Sequence, residues 1–142
     1  MSRLNRLIRG AAGATLALAC LAPAAPATAA CSQSDLVGTW QVFFTHHVAT
    51  PPFWMSCTFE IKPTGAFTAD RSTCAGRGGT SRKAFGVIQP TAGQSCTYKG
   101  YVVVGGVRFE LTHATMRRSK DHLNGVGLLS SDSPTIYSAT KL

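Results

Sequence analysis

The sequence predicts an all-β fold, an eight-stranded antiparallel up-and-down barrel. Three observations lead there. Short runs of alternating apolar and polar residues recur after residue 30, helical spacing is missing from that region, and turn residues separate the runs at the distances expected of a barrel or sandwich. A Greek-key sandwich is the alternative. Pro63-Thr64-Gly65 and Gly105-Gly106, each joining consecutive runs, favour the meander, which closes without open edges.

Residues 1–30 read as a signal peptide, leaving 31–142 as the domain. Arg3, Arg6 and Arg9 precede a short apolar run, which is followed by Pro23, Pro26 and small residues up to Ala30. The apolar run is too short to span a bilayer. Lipidation at Cys20, which would tether the chain to a membrane, is the rival; Ala17 stands where a lipobox would carry Leu. The remaining chain carries eleven basic against six acidic residues, a net charge of about +5. It keeps four cysteines, Cys31, Cys57, Cys74 and Cys96, an even set that reads as two disulfides in an exported domain. Without a Cys-x-x-Cys there is no sign of a redox motif or a zinc knuckle. Export also argues against nucleic acid as a partner despite the basic charge.

The first strand, Val37 to Phe44, puts Leu36, Gly38, Trp40, Val42 and Phe44 on one face. Pro51 and Pro52 end the connection that follows. The second strand, Phe53 to Lys62, alternates most clearly, with Phe53, Met55, Cys57, Phe59 and Ile61 on its dry face. After the Pro63-Thr64-Gly65 turn, Ala66 to Asp70 is expected to return as the third strand, with Phe67 and Ala69 inward. Arg71 to Arg82 is glycine-rich, basic and without pattern, and reads as a loop. Lys83 to Gln89 is the fourth strand. The fifth, Ser95 to Val104, places Cys96, Tyr98, Val102 and Val104 together. The sixth, Val107 to Arg117, aligns Val107, Phe109, Leu111 and His113. Leu123 to Leu129 and Thr135 to Lys141 complete the set.

An up-and-down path sorts the connections onto two ends. Residues 46–52 and 71–82, both long, share one end with Gly105-Gly106 and 130–134, and this is expected to be the open end. Cys57 and Cys74 fall toward it, Cys31 and Cys96 toward the closed end, which predicts Cys57–Cys74 and Cys31–Cys96, with Cys74–Cys96 as the rival. Bulky groups on the inward faces, among them Phe44, Phe59, Phe85 and Tyr98, are expected to fill most of a lumen this narrow.

The stretch Leu36 to Trp40, with its Gly38-Thr39-Trp40 after an exported N-terminus, resembles bacterial lipocalin-like (calycin-type) domains. That resemblance implies a barrel whose Trp40 plugs the closed end, with Gly38 and Trp40 in structural roles, and a ligand at the other end. Lipocalins lay an Arg from the last strand over this Trp; here only Lys141 stands in place to do so. The size, disulfides and Gly-x-Trp strand are also similar to periplasmic barrel inhibitors of secreted proteases. Cys31-Ser32 with Gly38-Thr39-Trp40 is superficially similar to avidin, but Trp40 and Trp54 are too few for its biotin site.

For function, no nucleophile motif is present and the acids are few, so no enzyme is expected, and no cofactor or metal. Adjacent His46 and His47 on an extended chain point opposite ways and rarely serve one ion. The expected site is the open end: His46, His47, Trp54, Arg71, Arg77 and Arg82. Its expected occupant is a small apolar or amphipathic ligand taken up by a monomer. The alternative is a partner protein, such as a protease, met by a loop of a filled barrel.

Overall fold

A computed structural model of the chain describes residues 30–46, 53–129 and 133–142. The leader as far as residue 29, Cys20 within it, and His47 lie outside the described residues.

Eight strands close into one antiparallel barrel in chain order, β1 through β8, with β8 pairing back onto β1. β1 (Gly38–His46) follows a short helix, α1 (Gln33–Leu36). β2 (Phe53–Ile61) runs back beside β1 in the register Gly38↔Ile61 to His46↔Phe53. That register puts the even residues of β1 and the odd residues of β2 on the inner face, so Trp40, Val42, Phe44, Met55, Cys57, Phe59 and Ile61 are all buried. β3 (Thr73–Gly76) and β4 (Ser81–Pro90) follow. β5 (Thr97–Val104) and β6 (Val107–Met116) are joined at Gly105 and Gly106, which both have positive φ, as a two-residue hairpin turn of this twist demands. β7 (His122–Leu129) and β8 (Ser133–Lys141) finish the barrel.

Three inward assignments made from the pattern are corrected. The third strand is Thr73–Gly76, within the glycine-rich run, and not Ala66–Asp70. The Pro63–Gly65 turn forms, and Phe67 returns to bridge Ile61, but the chain then turns at Thr68–Arg71, leaving Ala69 exposed. Thr73 to Gly76 resumes the pairing with β2, Cys74 directly opposite Cys57. In β6 a register shift between Glu110 and His113 inserts a residue and flips the parity. His113 therefore faces solvent, and Ala114 and Met116 take the inner positions. Phe85 is 51% exposed because Ala84 and Ile88 hold the inner face of β4.

The closed end is built on Trp40. Its ring is 1% exposed, and its Nε1–H donates to the Leu36 carbonyl at 2.7 Å. Lys141 Nζ lies 5.7 Å from the ring centroid and donates to the Asp35 carbonyl at 3.0 Å. The place expected for an arginine is thus filled by Lys141. Gly38 makes this approach possible: its φ is +124°, and a Cβ there would stand 3.2 Å from Lys141 Cε. Asp35 accepts from the Ser32 backbone N–H at 2.7 Å and pairs with Lys120 at 2.9 Å, and both hold its carboxyl below the usual value. Cys31–Cys96 ties the N-terminal segment across this end. Tyr98, fully buried, donates to the Ser32 carbonyl at 3.2 Å; burial, with Asp35 adding, pushes its hydroxyl up to about 12.

Candidate functional site

The lumen divides into two unequal parts. Its closed half is packed solid: Phe44 lies 6.2 Å from Phe59 and 5.6 Å from Tyr137 between centroids, and Phe59 stacks on Phe67 at 4.6 Å. A void of only about 30 Å³ remains there. Above it the wall encloses a cup of about 490 Å³ that opens at the end holding Gly105-Gly106. The expected filling is therefore met in one half and not in the other, because Phe53 and Val107 stand at the rim and Phe85 faces out.

The cup is apolar at its base and polar on one side of its rim. Met55 and Phe109 form the floor with Cys74, whose disulfide to Cys57 joins β2 to β3 inside the barrel. Phe109 rests on Phe44, 6.0 Å between centroids, so the floor is continuous with the packed half. Phe53, Val104, Val107 and Leu129 build the walls. Thr80, Arg77 and Arg82 supply the polar side.

Of the residues expected at this site, His46, Arg77 and Arg82 are brought together. His46 is buried rather than a free loop side chain. Its Nδ1 lies 3.0 Å from the Pro134 carbonyl and 3.3 Å from Thr135 Oγ1. A carbonyl only accepts, so Nδ1 is the donor to Pro134, a contact that holds the ring in the wall. Arg82 lies directly opposite Cys74 across the β3–β4 ladder, which places it on the inner face. Its guanidinium leans over Gly105, where a Cβ would come within 2.5 Å of Nη1.

Arg71 and Trp54 do not join the cup. Arg71 pairs with Glu60 at 3.2 Å on the outer wall, because the turn at Thr68–Arg71 stops the chain well short of the mouth. Trp54 is an even residue of β2 and so points outward. It ends a row of directly paired positions, Val126↔Ile136, Ile136↔Thr45 and Thr45↔Trp54. Phe43 adjoins this row from the next outward position of β1. Val126, Ile136, Trp54 and Phe43 are each roughly half exposed.

The described carboxylates sit elsewhere. Lys83 Nζ lies 2.8 Å from Asp70, and each partner shifts the other, the carboxyl down and the ammonium up. Glu110 pairs with Arg108, Glu60 with Arg71, Asp35 with Lys120, and Asp121 accepts from Ser119. Among the described residues no group of three or more His, Cys, Asp or Glu could hold a metal ion.

This architecture has close counterparts among solved structures. The chain shares the fold of designed β-barrels. A de novo designed fluorescence-activating barrel superposes with a TM-score of 0.60 at 17% identity, covering 78% of this chain and 96% of its own. Two redesigned barrels bound to DFHBI, mFAP0 and mFAP1, give TM-scores of 0.59 and 0.60 at 12% and 14% identity. The first covers 75% of this chain and 99% of its own, the second 78% and 98%. No family model matches this chain, and no curated protein does.

Sequence reasoning missed Phe53, Val104, Val107, Phe109 and Leu129 as cup residues. The signal was present in their inward parity next to turn residues. What could not be read was that the aromatic groups below them would pack without reaching this level.

Proposed function

We propose that this chain is an exported, non-enzymatic binding barrel that takes a small apolar or amphipathic ligand into the cup at its open end. The observation that carries the reading is the cup itself. Its volume of about 490 Å³ lies within the range of roughly 300–1,000 Å³ common for small-molecule sites. Apart from His46 its floor and walls are apolar, and Arg77, Thr80 and Arg82 gather on one side, the arrangement that orients a ligand. The designed barrels bound to DFHBI lend support, since they are proteins of this fold that hold a small molecule. Among the described residues no carboxylate lines the cup, which supports binding over acid–base chemistry. The two disulfides support an oxidising compartment, and so export. No helix among the described residues is long and apolar enough to cross a membrane.

Titration with Nile red, a neutral apolar dye, tests this. Saturable one-to-one binding is expected, lost when Val107→Trp fills the mouth. Absence of saturable binding, together with native mass spectra showing no retained small molecule, would sink the reading.

A second reading, a protein-binding module such as a protease inhibitor, is supported by the outward row of Val126, Ile136 and Trp54 with Phe43. Exposed aromatic side chains of this kind anchor protein contacts. Inhibition of a secreted serine, cysteine or metalloprotease, weakened by Trp54→Ala, is the expected sign. Unimpaired activity across all three classes removes it.

A further inference from the structure

We infer that the ligand of this cup is an anionic amphiphile whose charged head is held at the rim by Arg77 and Arg82 while its apolar part rests on Met55 and Phe109. This rests on the reading of the cup as a ligand site and adds the sign of the ligand's charge.

The argument begins with the charges. Every carboxylate side chain among the described residues is engaged away from the cup, Asp35 and Asp121 at the closed end, Glu60, Asp70 and Glu110 on the outer surface. The sixth acid, Asp132, lies outside the described residues. Arg77 and Arg82 line the cup, and neither forms an ion pair with any described residue, whereas Arg71, Lys83, Arg108 and Lys120 all do. Arg117 and Arg118, near the closed end, likewise form no ion pair, so what marks Arg77 and Arg82 is that they are unpaired and line the cup.

Both arginines are exposed and line the cup, and geometry marks out Arg82 of the two. Arg82 is on the inner face of the barrel wall, across the ladder from a buried half-cystine. A cation turned toward a low-dielectric cavity attracts an anion more strongly than one on an open surface. The missing side chain at Gly105 gives its guanidinium a resting place at the rim rather than outside it. Arginine presents a planar fork of donors that suits carboxylate, sulfate and phosphate alike. Directly below, the floor offers only apolar groups and a disulfide. Charge above and apolar surface beneath specify an amphiphile with its head outward.

Displacement of Nile red by decyl compounds, each below its micellar concentration, tests the inference. Decanoate, decyl sulfate and decyl phosphate should each displace the dye at least about tenfold more effectively than decanol, the scale of one charge-assisted hydrogen bond. Decyltrimethylammonium should be weakest. Preference among the three anions identifies the head. In the R77Q/R82Q variant the advantage over decanol, read as the ratio of the two displacement constants within that variant, should vanish. Equal displacement by decanol and decanoate, or an unchanged advantage in R77Q/R82Q, would overturn the inference and leave the cup standing. Failure of Nile red and of every decyl compound to bind would instead remove the cup as a ligand site.

Discussion

Arg82 stands directly across the β3–β4 ladder from Cys74, so a guanidinium and a buried disulfide share the inner face of one wall. That wall is the thinnest part of the barrel. β3 has four residues and meets β4 at only three paired positions. The Cys57–Cys74 bond therefore fixes a strand that its own ladder holds weakly.

Removing that bond in the Cys57→Ala/Cys74→Ala variant should cost about 3 kcal/mol in urea unfolding, from a closed loop with a sequence separation of 17. Nile red affinity should fall with it, because Cys74 lines the cup. Cys31→Ser/Cys96→Ser closes no loop of separation 65 and should cost about 4 kcal/mol. Its dye affinity should stay unchanged, since both residues lie at the far end. The two variants separate stability from site integrity.

At the closed end, Lys141→Met should cost about 1–2 kcal/mol, the worth of a cation over an indole and a charged hydrogen bond. Gly38→Ala should cost about 1–3 kcal/mol, through positive φ and the crowding of Lys141. Urea midpoints measured with unchanged slope check both.

Stability should fall at both pH extremes, and the groups responsible can be named. Asp35 has a carboxyl lowered by the Ser32 N–H and Lys120, so it stabilises the fold above its ordinary value of 3.8 and ceases to as the pH drops through the lowered one. Asp35→Asn should flatten the acid limb. Tyr98 is pushed up from 10.0 to about 12, so between those values the unfolded chain loses a proton that the folded one keeps. Stability is complete below pH 10 and declines as the pH rises toward 12. Tyr98→Phe should shrink this alkaline loss, and Tyr137, whose hydroxyl burial also raises, should retain the rest. Thermal midpoints across pH measure both limbs.

Residues near the mouth should divide by the side they face. Phe53→Ala, inside, should weaken Nile red by roughly tenfold, the worth of part of a buried phenyl ring. Trp54→Thr, one residue on, should leave the dye unaffected and change stability by no more than about 0.5 kcal/mol. Arg71→Ala should likewise leave the dye unaffected, its pair with Glu60 being exposed. Dye titration of the three variants decides.

Much of this was legible from alternation. In Leu36–Phe44 and Phe53–Ile61 the dry faces are long enough to fix parity, and both disulfides follow once the ends of the strands are sorted. Reading failed where one residue changes the phase. The bulge before His113 leaves no mark in composition, because Leu111 and Ala114 fit either phase until the partner strand is known. Phe85 misled because the inner face of β4 is held by the small Ala84, not by its largest neighbour. β3 escaped because its buried inward residue is a single cysteine, and Gly76, Gly78 and Gly79 directly after it speak for a loop. Arg77 and Arg82, assigned to the open end by topology, both line the cup. Arg71 does not, because a turn within the returning segment, which has no periodic signature, stops the chain short.

The lumen divides at Phe44 and Phe109, with the packed aromatic half on one side and the cup on the other. On the proposed reading of the cup, substitutions at its rim, away from the Cys57–Cys74 bond, should alter what binds and leave the melting temperature nearly untouched.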